Sequence, residues 1–178
     1  MNLDRWAKPV LSGHLVTLRP YSPGDTDAAW EMVNDREGSD LTHTTATFTY
    51  EQIREWCSSR NARADRLDLA VIENATGLFA GEVVLNDFDP EQESTNFRIA
   101  LRGPAWFGRG LGTEATRLIV THGLTTIGLA HITLDVLARN LRAIRAYEKV
   151  GFRQTGTSVE DEELWIRMAI AAAEWASQ

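Results

Sequence analysis

The sequence has very little cysteine, because Cys57 is the only one among 178 residues. A single cysteine cannot form an internal disulfide, and it cannot build a structural zinc site by itself. No stretch approaches the ~20 apolar residues of a membrane span, and residues 1–13 lack the apolar core of a signal peptide. These absences predict a protein that stays in the cytoplasm, has no membrane partner and holds no metal.

The sequence also has fewer positively charged residues than negatively charged ones. The 18 Lys and Arg residues are outnumbered by 25 Asp and Glu residues, so the formal net charge is −7. This balance argues against a direct nucleic-acid partner, although a local basic pocket for an anionic cofactor remains compatible with it. The chain also lacks internal repeats, and the Gly103-Pro104 pair is too short for an interdomain linker. Residues 1–178 are therefore predicted to form a single domain.

Hydrophobic periodicity predicts alternating strands and helices. The predicted strands are His14–Arg19, Leu67–Glu73, Leu78–Asn86, Thr95–Leu101, His131–Leu137, Phe152–Gly156 and Leu164–Ile170. The predicted helices are Asp25–Asn34, Thr49 to about Ala64, Gly110 to about Thr126, and Leu141–Val150. The order β-α-α-β-β-β-α-β-α-β-β predicts an α/β fold of the mixed type, with about seven strands in one sheet and helices on both faces.

A glycine-rich segment follows one of these strands. Gly108-Arg109-Gly110-Leu111-Gly112-Thr113 opens directly into a helix. Glycines let a backbone approach a ligand closely, and the free N–H groups at a helix start suit a pyrophosphate. The alternative is that the glycines only form a tight turn. The segment is neither a Walker loop nor a full Gly-x-Gly-x-x-Gly dinucleotide motif.

A second informative segment runs from Leu134 to Phe152. A predicted strand ends there, and Asn140 can cap the helix that follows. Tyr147 lies about two turns inside that helix, on the side occupied by Ala143 and Val150.

Together, these two segments resemble the signature motifs of the GNAT (GCN5-related N-acetyltransferase) superfamily, in particular its ribosomal-protein and N-terminal amine acetyltransferases. The resemblance covers most of the chain, including Leu18-Arg19-Pro20 in the opening strand and the strand order. It implies a GNAT-type domain that uses acetyl-CoA as co-substrate. It also implies transfer to a primary amine in a ternary complex, without a covalent enzyme intermediate. No Asp/His/Cys cluster has the spacing of a metal site, so no metal is predicted.

The resemblance also implies a set of cofactor-binding positions. The family loop Gln/Arg-x-x-Gly-x-Gly/Ala falls on residues 107–112, where Phe107 departs from the pattern. Backbone groups of the loop would hold the pyrophosphate, and the strand before it would pair with the pantetheine amides. Arg142 and Arg145 either meet the 3′-phosphate or adenine or belong to a solvated helix face. The implied set is Ile99, Ala100, Leu101, Phe107, Gly108, Arg109, Gly110, Leu111, Gly112, Thr113, Asn140, Arg142 and Tyr147.

Tyr147 matches a tyrosine that family members use as general acid toward the departing thiolate. A phenol with a pKa near 10 holds its proton at pH 7, which suits this role. The alternative is a buried aromatic between helix and sheet. Some members of the branch carry a serine where Ala143 stands, and that donor is missing here.

Two carboxylates are candidates for the general base that an amine nucleophile requires. Asp135 matches a glutamate that serves this role in some N-terminal alanine acetyltransferases, but its shorter side chain would need a bridging water. Glu82 is the other candidate, with a solvated or ion-paired strand face as the alternative.

The sequence leaves the substrates open. The acceptor is a protein N-terminus or a small amine such as a polyamine or aminoglycoside, and the donor could be succinyl-CoA. A sensor that binds acyl-CoA without turnover is the non-enzymatic alternative. His43, in the predicted loop Asp40–Thr47, could line the acceptor pocket, whereas the other histidines are predicted to be structural. Family members are often dimers, and Trp165 and Trp175 are candidate exposed interface residues with the core as the alternative.

Overall fold

A computed structural model describes residues 5–176 of the chain. Eight strands form one sheet. They are β1 Leu11–Ser12, β2 Val16–Arg19, β3 Leu67–Glu73, β4 Phe79–Asp89, β5 Ser94–Leu101, β6 His131–Leu137, β7 Arg153–Glu160 and β8 Glu163–Ala171. Their order across the sheet is β1-β2-β3-β4-β5-β6-β8-β7.

Six α-helices connect and cover these strands. They are α1 Thr26–Val33, α2 Arg36–Leu41, α3 Tyr50–Ser59, α4 Leu111–His122, α5 Leu141–Val150 and α6 Ala172–Trp175. Short 3₁₀ turns lie at Pro23–Asp25, Arg60–Ala62 and Pro104–Trp106, and a π-helical turn at Gly123–Ile127 extends α4. Within residues 5–176, no helix has the length and apolar character needed to cross a membrane.

The sheet is mixed and is covered on both faces, as the sequence predicts. Strands β1 to β5 pair antiparallel in sequence order, whereas β5 and β6 are parallel and are joined through α4. One apolar cluster includes Leu69, Ile119 on α4 and Val150 on α5. A second cluster includes Ala29 on α1 and Cys57 on α3. Leu69 and Ala70 belong to different clusters because successive side chains of a strand point to opposite faces.

Several predicted details were wrong. The sheet has eight strands rather than about seven, because two-residue β1 is too short to produce an alternating pattern. Three helices rather than two follow the opening strands, and the additional helix α2 includes Asp40 and Leu41 of the predicted loop. Its sequence is short and polar, and it buries no residue, so it carries no hydrophobic period.

Other errors concern where elements end. Helix α3 stops at Ser59 and passes into a 3₁₀ turn, well before Ala64. Strands β4 and β7 are longer than predicted, reaching Asp89 and Glu160. Most residues in these extensions are polar, so their composition resembles that of turns, although backbone pairing keeps them in strands.

The predicted N-terminus of α3 is confirmed. The Thr49 N–H donates to Gln52 Oε1 at 2.7 Å, and the Gln52 N–H donates to Thr49 Oγ1 at 3.2 Å. This reciprocal capping box satisfies two backbone donors that the first helical turn cannot satisfy. It fixes the point at which the chain turns into α3.

Glu114 on α4 anchors the turn between β1 and β2. Its carboxylate accepts backbone N–H groups from His14 at 3.1 Å, Leu15 at 2.6 Å and Val16 at 2.8 Å. These donors lie about a hundred residues away in sequence, so the contact joins the N-terminal edge of the sheet to α4. Hydrogen bonds to a charged acceptor are stronger than neutral ones.

We expect Glu114→Ala to lower the free energy of unfolding by about 2–4 kcal/mol, because it leaves three backbone donors without their acceptor. Urea denaturation of the purified protein measures this loss. Glu148→Ala is the matched control, since Glu148 is an exposed glutamate on α5. An equal, small change in both variants would contradict the anchoring role of Glu114.

Candidate active site

The central feature of the sheet is a gap between its two parallel strands. Strands β5 and β6 pair only where residues 94–96 face residues 131–133. Beyond that point, β5 stays paired with β4 as far as Leu101, and β6 stays paired with β8 as far as Leu137. The two strands therefore separate, and each presents one unpaired edge to the gap.

Backbone direction identifies which groups of β5 face the gap. The Arg102 N–H donates to the Ala80 carbonyl at 2.8 Å, so Arg102 points toward β4. Backbone groups alternate in direction along a strand. The N–H and C=O groups of Ile99 and Leu101 therefore point into the gap, whereas those of Ala100 point toward β4. Of the three predicted pantetheine-contacting positions, two offer free backbone groups.

The glycine-rich loop lies beyond the end of β5. Gly108 and Gly110 have φ values of +70° and +81°, in the left-handed region that favours glycine. Gly110 is the N-cap of α4 and supplies no side-chain cap, so the first N–H groups of the helix are left for other acceptors. A Cβ atom on Gly112 would lie 3.5 Å from Leu101 Cδ1, which places the helix start directly against the gap strand.

Two arginines near this loop have different surroundings. Arg109 pairs with the buried carboxylate of Glu73 at the end of β3. The Arg142 guanidinium lies 3.9 Å from the ring centroid of Phe107 and 3.6 Å from the Glu37 carboxylate. A guanidinium over an aromatic face is a favourable cation–π arrangement. Arg142 thus brings positive charge to the one loop position that departs from the family pattern.

Tyr147 lies where the two strands separate. Its ring packs edge-on against Phe97, with centroids 6.1 Å apart, and against Phe152 at 6.0 Å. Phe97 is the first β5 residue beyond the last β5–β6 pair. Burial raises the pKa of the phenol, so Tyr147 stays protonated at neutral pH. Among residues 5–176, none forms a hydrogen bond with its hydroxyl.

Glu82 lies on the opposite face of the sheet from Tyr147. It is directly across from Ala100 in the β4–β5 register, one strand away from the gap. The Tyr21 hydroxyl donates to Glu82 Oε2 at 2.7 Å. Burial raises the pKa of this carboxyl, and the hydrogen bond from Tyr21 opposes that rise. Glu82 is thus a half-buried carboxylate that forms no ion pair within residues 5–176.

Asp135, the other candidate base, has a different environment. It lies on β6 beside the gap, but its side chain is exposed, and Arg167 Nε lies 3.2 Å from Asp135 Oδ1. A surface ion pair of this kind leaves the carboxylate solvated and charged. The structure therefore places both candidates near the gap in contrasting surroundings.

Helix α2 contacts the connection between β6 and α5 beside the gap, and the sequence did not predict this helix. The Asp40 carboxylate pairs with Arg139 at 2.8 Å, and the Leu41 carbonyl accepts from Asn140 Nδ2 at 3.3 Å. Asn140 also caps α5, because its Oδ1 accepts the Ala143 N–H at 3.2 Å. The signal that could have revealed α2 is the N-cap residue Asp35, whose carboxylate accepts the Gly38 N–H at 2.6 Å.

Of the remaining candidates, His43 and Trp165 lie near the turn of the β7–β8 hairpin, whereas Trp175 lies on α6 at the opposite end of β8. His43, with φ +51°, lies 3.8 Å from the Asp161 carboxylate and packs edge-on against Trp165. Trp165 and Trp175 are both half-buried, which corrects the expectation that they are exposed. Trp175 packs against the first apolar cluster, and the Trp165 Nε1 atom is enclosed without a hydrogen-bond partner within residues 5–176.

Comparison with known proteins agrees with this geometry. Residues 16–153 match the family described as "Acetyltransferase (GNAT) domain". The spermidine N(1)-acetyltransferase of Escherichia coli K12 is 30% identical over 146 residues, which cover 82% of this chain and 76% of that protein. The mouse alpha/beta-tubulin-N-acetyltransferase 9 is 26% identical over 175 residues, covering 93% of this chain and 73% of that protein.

A solved structure has the same fold. The spermidine N-acetyltransferase of Vibrio cholerae, in complex with CoA and spermine, superposes with a TM-score of 0.82. It is 21% identical, and the match covers 91% of this chain and 98% of that chain. At this identity the likeness concerns the fold.

Proposed function

Because this chain belongs to the acetyltransferase (GNAT) family and is an acyl-CoA-dependent N-acetyltransferase, we propose that it moves an acetyl group from acetyl-CoA directly to a primary amine. The observation that carries this proposal is the gap between β5 and β6. Free backbone groups of Ile99 and Leu101 line it, uncapped N–H groups of α4 lie at its outer end, and Tyr147 lies at its inner end.

The gap and the loop have the chemistry that a CoA thioester requires. Backbone groups of Ile99 and Leu101 can pair with the pantetheine amides as a neighbouring strand would. N–H groups from Gly108 to Thr113 can hold the pyrophosphate at the start of α4. A Cβ atom on Gly108 would meet no atom within 4 Å, so the loop surface is open there. Arg142 is placed to add the charge that Phe107 lacks.

The proposed reaction is one addition followed by one elimination. The attacking nitrogen first gives its ammonium proton to solvent. The neutral amine then attacks the thioester carbonyl, and Glu82 accepts the proton that the nitrogen loses on forming the amide. The C–S bond then breaks, and Tyr147 gives its proton to the departing CoA thiolate. The acetyl group ends on the amine, and no covalent enzyme intermediate forms.

The surroundings of the two carboxylates favour Glu82 over Asp135 as the general base. A carboxyl whose pKa is raised by burial is a stronger proton acceptor than a solvated one. Glu82 is half-buried and has a neutral hydrogen-bond donor, whereas Asp135 is exposed and paired with Arg167. A candidate acid beside the gap and a candidate base on the neighbouring strand β4 also favour turnover over the alternative of an acyl-CoA sensor.

The acceptor that we propose is a cationic primary amine. Two relatives support this class, because one is named for spermidine and another for tubulin N-acetylation. The chain's net charge of −7 favours a positively charged acceptor at long range. Succinyl-CoA stays the alternative donor, and a single 1–178 domain, a homodimer and a cytoplasmic location stay predictions.

Release of free thiol from acetyl-CoA and succinyl-CoA tests the proposal directly. Each donor is incubated with spermidine, an aminoglycoside, or a peptide with a free N-terminus, with and without the protein. The protein's own thiol adds little background, because Cys57 is buried and burial raises its pKa to about 11. Acceptor-dependent thiol release from acetyl-CoA is expected, whereas CoA binding without release from any acceptor would favour the sensor.

We expect Tyr147→Phe to lower kcat by about 10²–10⁴-fold, because it removes the proton donor for the thiolate. The dissociation constant of acetyl-CoA, measured by calorimetry, should stay unchanged because the ring packing against Phe97 and Phe152 is retained. Tyr50→Phe is the control, since Tyr50 lies on α3 away from the gap. Full kcat in Tyr147→Phe would rule this tyrosine out as the acid.

The two candidate bases can be separated by matched amide substitutions. Glu82→Gln should lower kcat by about 10²–10⁴-fold, because glutamine cannot accept the amine proton. Asp135→Asn should leave most of the rate, since it removes only one charge of a solvated ion pair. If Asp135→Asn lowered kcat strongly and Glu82→Gln did not, Asp135 would be the general base instead.

A further inference from the structure

The buried surroundings of Glu82 contain a second residue that bears on the reaction. Tyr21 follows β2 and is 4% exposed. Its ring is held between Trp56 on α3, with centroids 5.5 Å apart, and Phe79 on β4, at 6.1 Å. The ring is therefore fixed from two sides, and its hydroxyl has one direction in which to point. That direction is Glu82 Oε2, 2.7 Å away.

The phenol is the donor in this hydrogen bond. Burial and the neighbouring carboxylate raise the pKa of Tyr21 well above its ordinary value, so the hydroxyl keeps its proton. A neutral donor stabilises the ionised carboxylate by hydrogen bonding and leaves its negative charge uncompensated. An arginine would compensate that charge. One carboxylate oxygen is thus occupied. Within residues 5–176, no group donates a hydrogen bond to the other oxygen, Oε1.

The charged and titratable groups around Glu82 do not replace this donor. Arg66 is committed to Asp68, with Nη2 and Oδ1 2.7 Å apart, and Arg98 on β5 is exposed. The titratable and charged groups that interact with Glu82 are Tyr21 after β2, Cys57 on α3, Arg60 after α3, Arg66 and Asp68 at β3, and Arg98 on β5. Among the described residues, Tyr21 is the single hydrogen-bond donor to Glu82.

We propose that Tyr21 is a positioning residue for the transfer reaction, which holds Glu82 Oε2 so that Oε1 is directed to the acceptor amine. The inference rests on the proposed role of Glu82 as general base. The hydroxyl fixes the rotamer of the carboxylate and favours its ionised form. Tyr21 itself neither touches the substrate nor exchanges a proton with it.

The sign of the expected pH effect follows from this arrangement. Burial raises the pKa of Glu82, and the hydrogen bond from Tyr21 lowers it. Removing the hydroxyl therefore raises the Glu82 pKa further, and a higher pH is needed before the base is ionised. In the pH profile of kcat/KM, the acid limb should therefore move to higher pH by about one unit when the hydroxyl is removed. This is the size expected from losing a hydrogen bond to a charged group.

Tyr21→Phe is the decisive variant, because it deletes the hydroxyl and keeps the ring between Trp56 and Phe79. The pH profiles of kcat and kcat/KM are measured with one acceptor for the wild type and each variant. The amine's own pKa is the same throughout, so differences between profiles report on the protein. Cys57, with a pKa of about 11, does not titrate in the same range.

Tyr50→Phe is the matched control. The Tyr50 hydroxyl also donates to a carboxylate, Asp27 Oδ1 at 2.5 Å, but this pair lies on the surface between α3 and α1. Its removal should leave the pH profile unchanged. If Tyr21→Phe does not fold, Tyr21→Met makes the same comparison, because a flexible apolar side chain can occupy the space of the ring.

The expected result is an acid limb displaced to higher pH in Tyr21→Phe, with most of the rate returning at alkaline pH. A profile that superposes on the wild type would overturn the proposal, and so would an equal loss of rate at every pH, which indicates a structural role only. Glu82→Gln separates this failure from that of the proposed function. If Glu82→Gln stays fully active, Glu82 is not the base. If it is inactive while Tyr21→Phe keeps the wild-type limb, only the role of Tyr21 fails.

Discussion

The separation of β5 from β6 is the constraint on which the rest of the site depends. Two parallel strands that stayed paired would satisfy each other's backbone groups and leave nothing for a ligand. Here each strand is held by its other neighbour instead. Gly81 on β4 contributes to this, because a Cβ atom there would lie 2.2 Å from the Ala100 carbonyl oxygen. The absence of a side chain lets β5 stay close to β4 while β6 follows β8.

The two helices that begin beyond the separated strands acquire their roles from the same geometry. Helix α4 follows β5 and α5 follows β6, so both helix N-termini lie at the carboxyl ends of the strands beside the gap. Arg142 on α5 lies over the Phe107 ring in the loop before α4, and the Glu37 carboxylate on α2 lies 3.6 Å from the same guanidinium. The contact between α2 and α5 therefore lies beside the glycine-rich loop.

Much of the candidate site was accessible from local patterns. The glycine-rich loop, the cap at Asn140 and the position of Tyr147 each depend on residues close together in sequence, where turn chemistry and helical spacing apply. Helix α2 was not accessible, because a six-residue polar helix carries no hydrophobic period, and its contacts, such as the Asp40–Arg139 ion pair, form across about a hundred residues. Strand β1 was missed for a similar reason, since pairing with β2 rather than its own composition maintains it.

The sequence by itself determined the family, the mixed sheet with helices on both faces, and the residue types available for acid, base and phosphate contacts. These follow from periodicity and motif spacing, which are properties of neighbouring residues. Only the tertiary structure decided how those residues differ from one another. It placed half-buried Glu82 against Tyr21 and left Asp135 exposed beside Arg167. It also paired Arg109 with Glu73, whereas Arg142 lies over Phe107 in the loop. Desolvation and pairing depend on which distant segments meet, so they are absent from any local pattern.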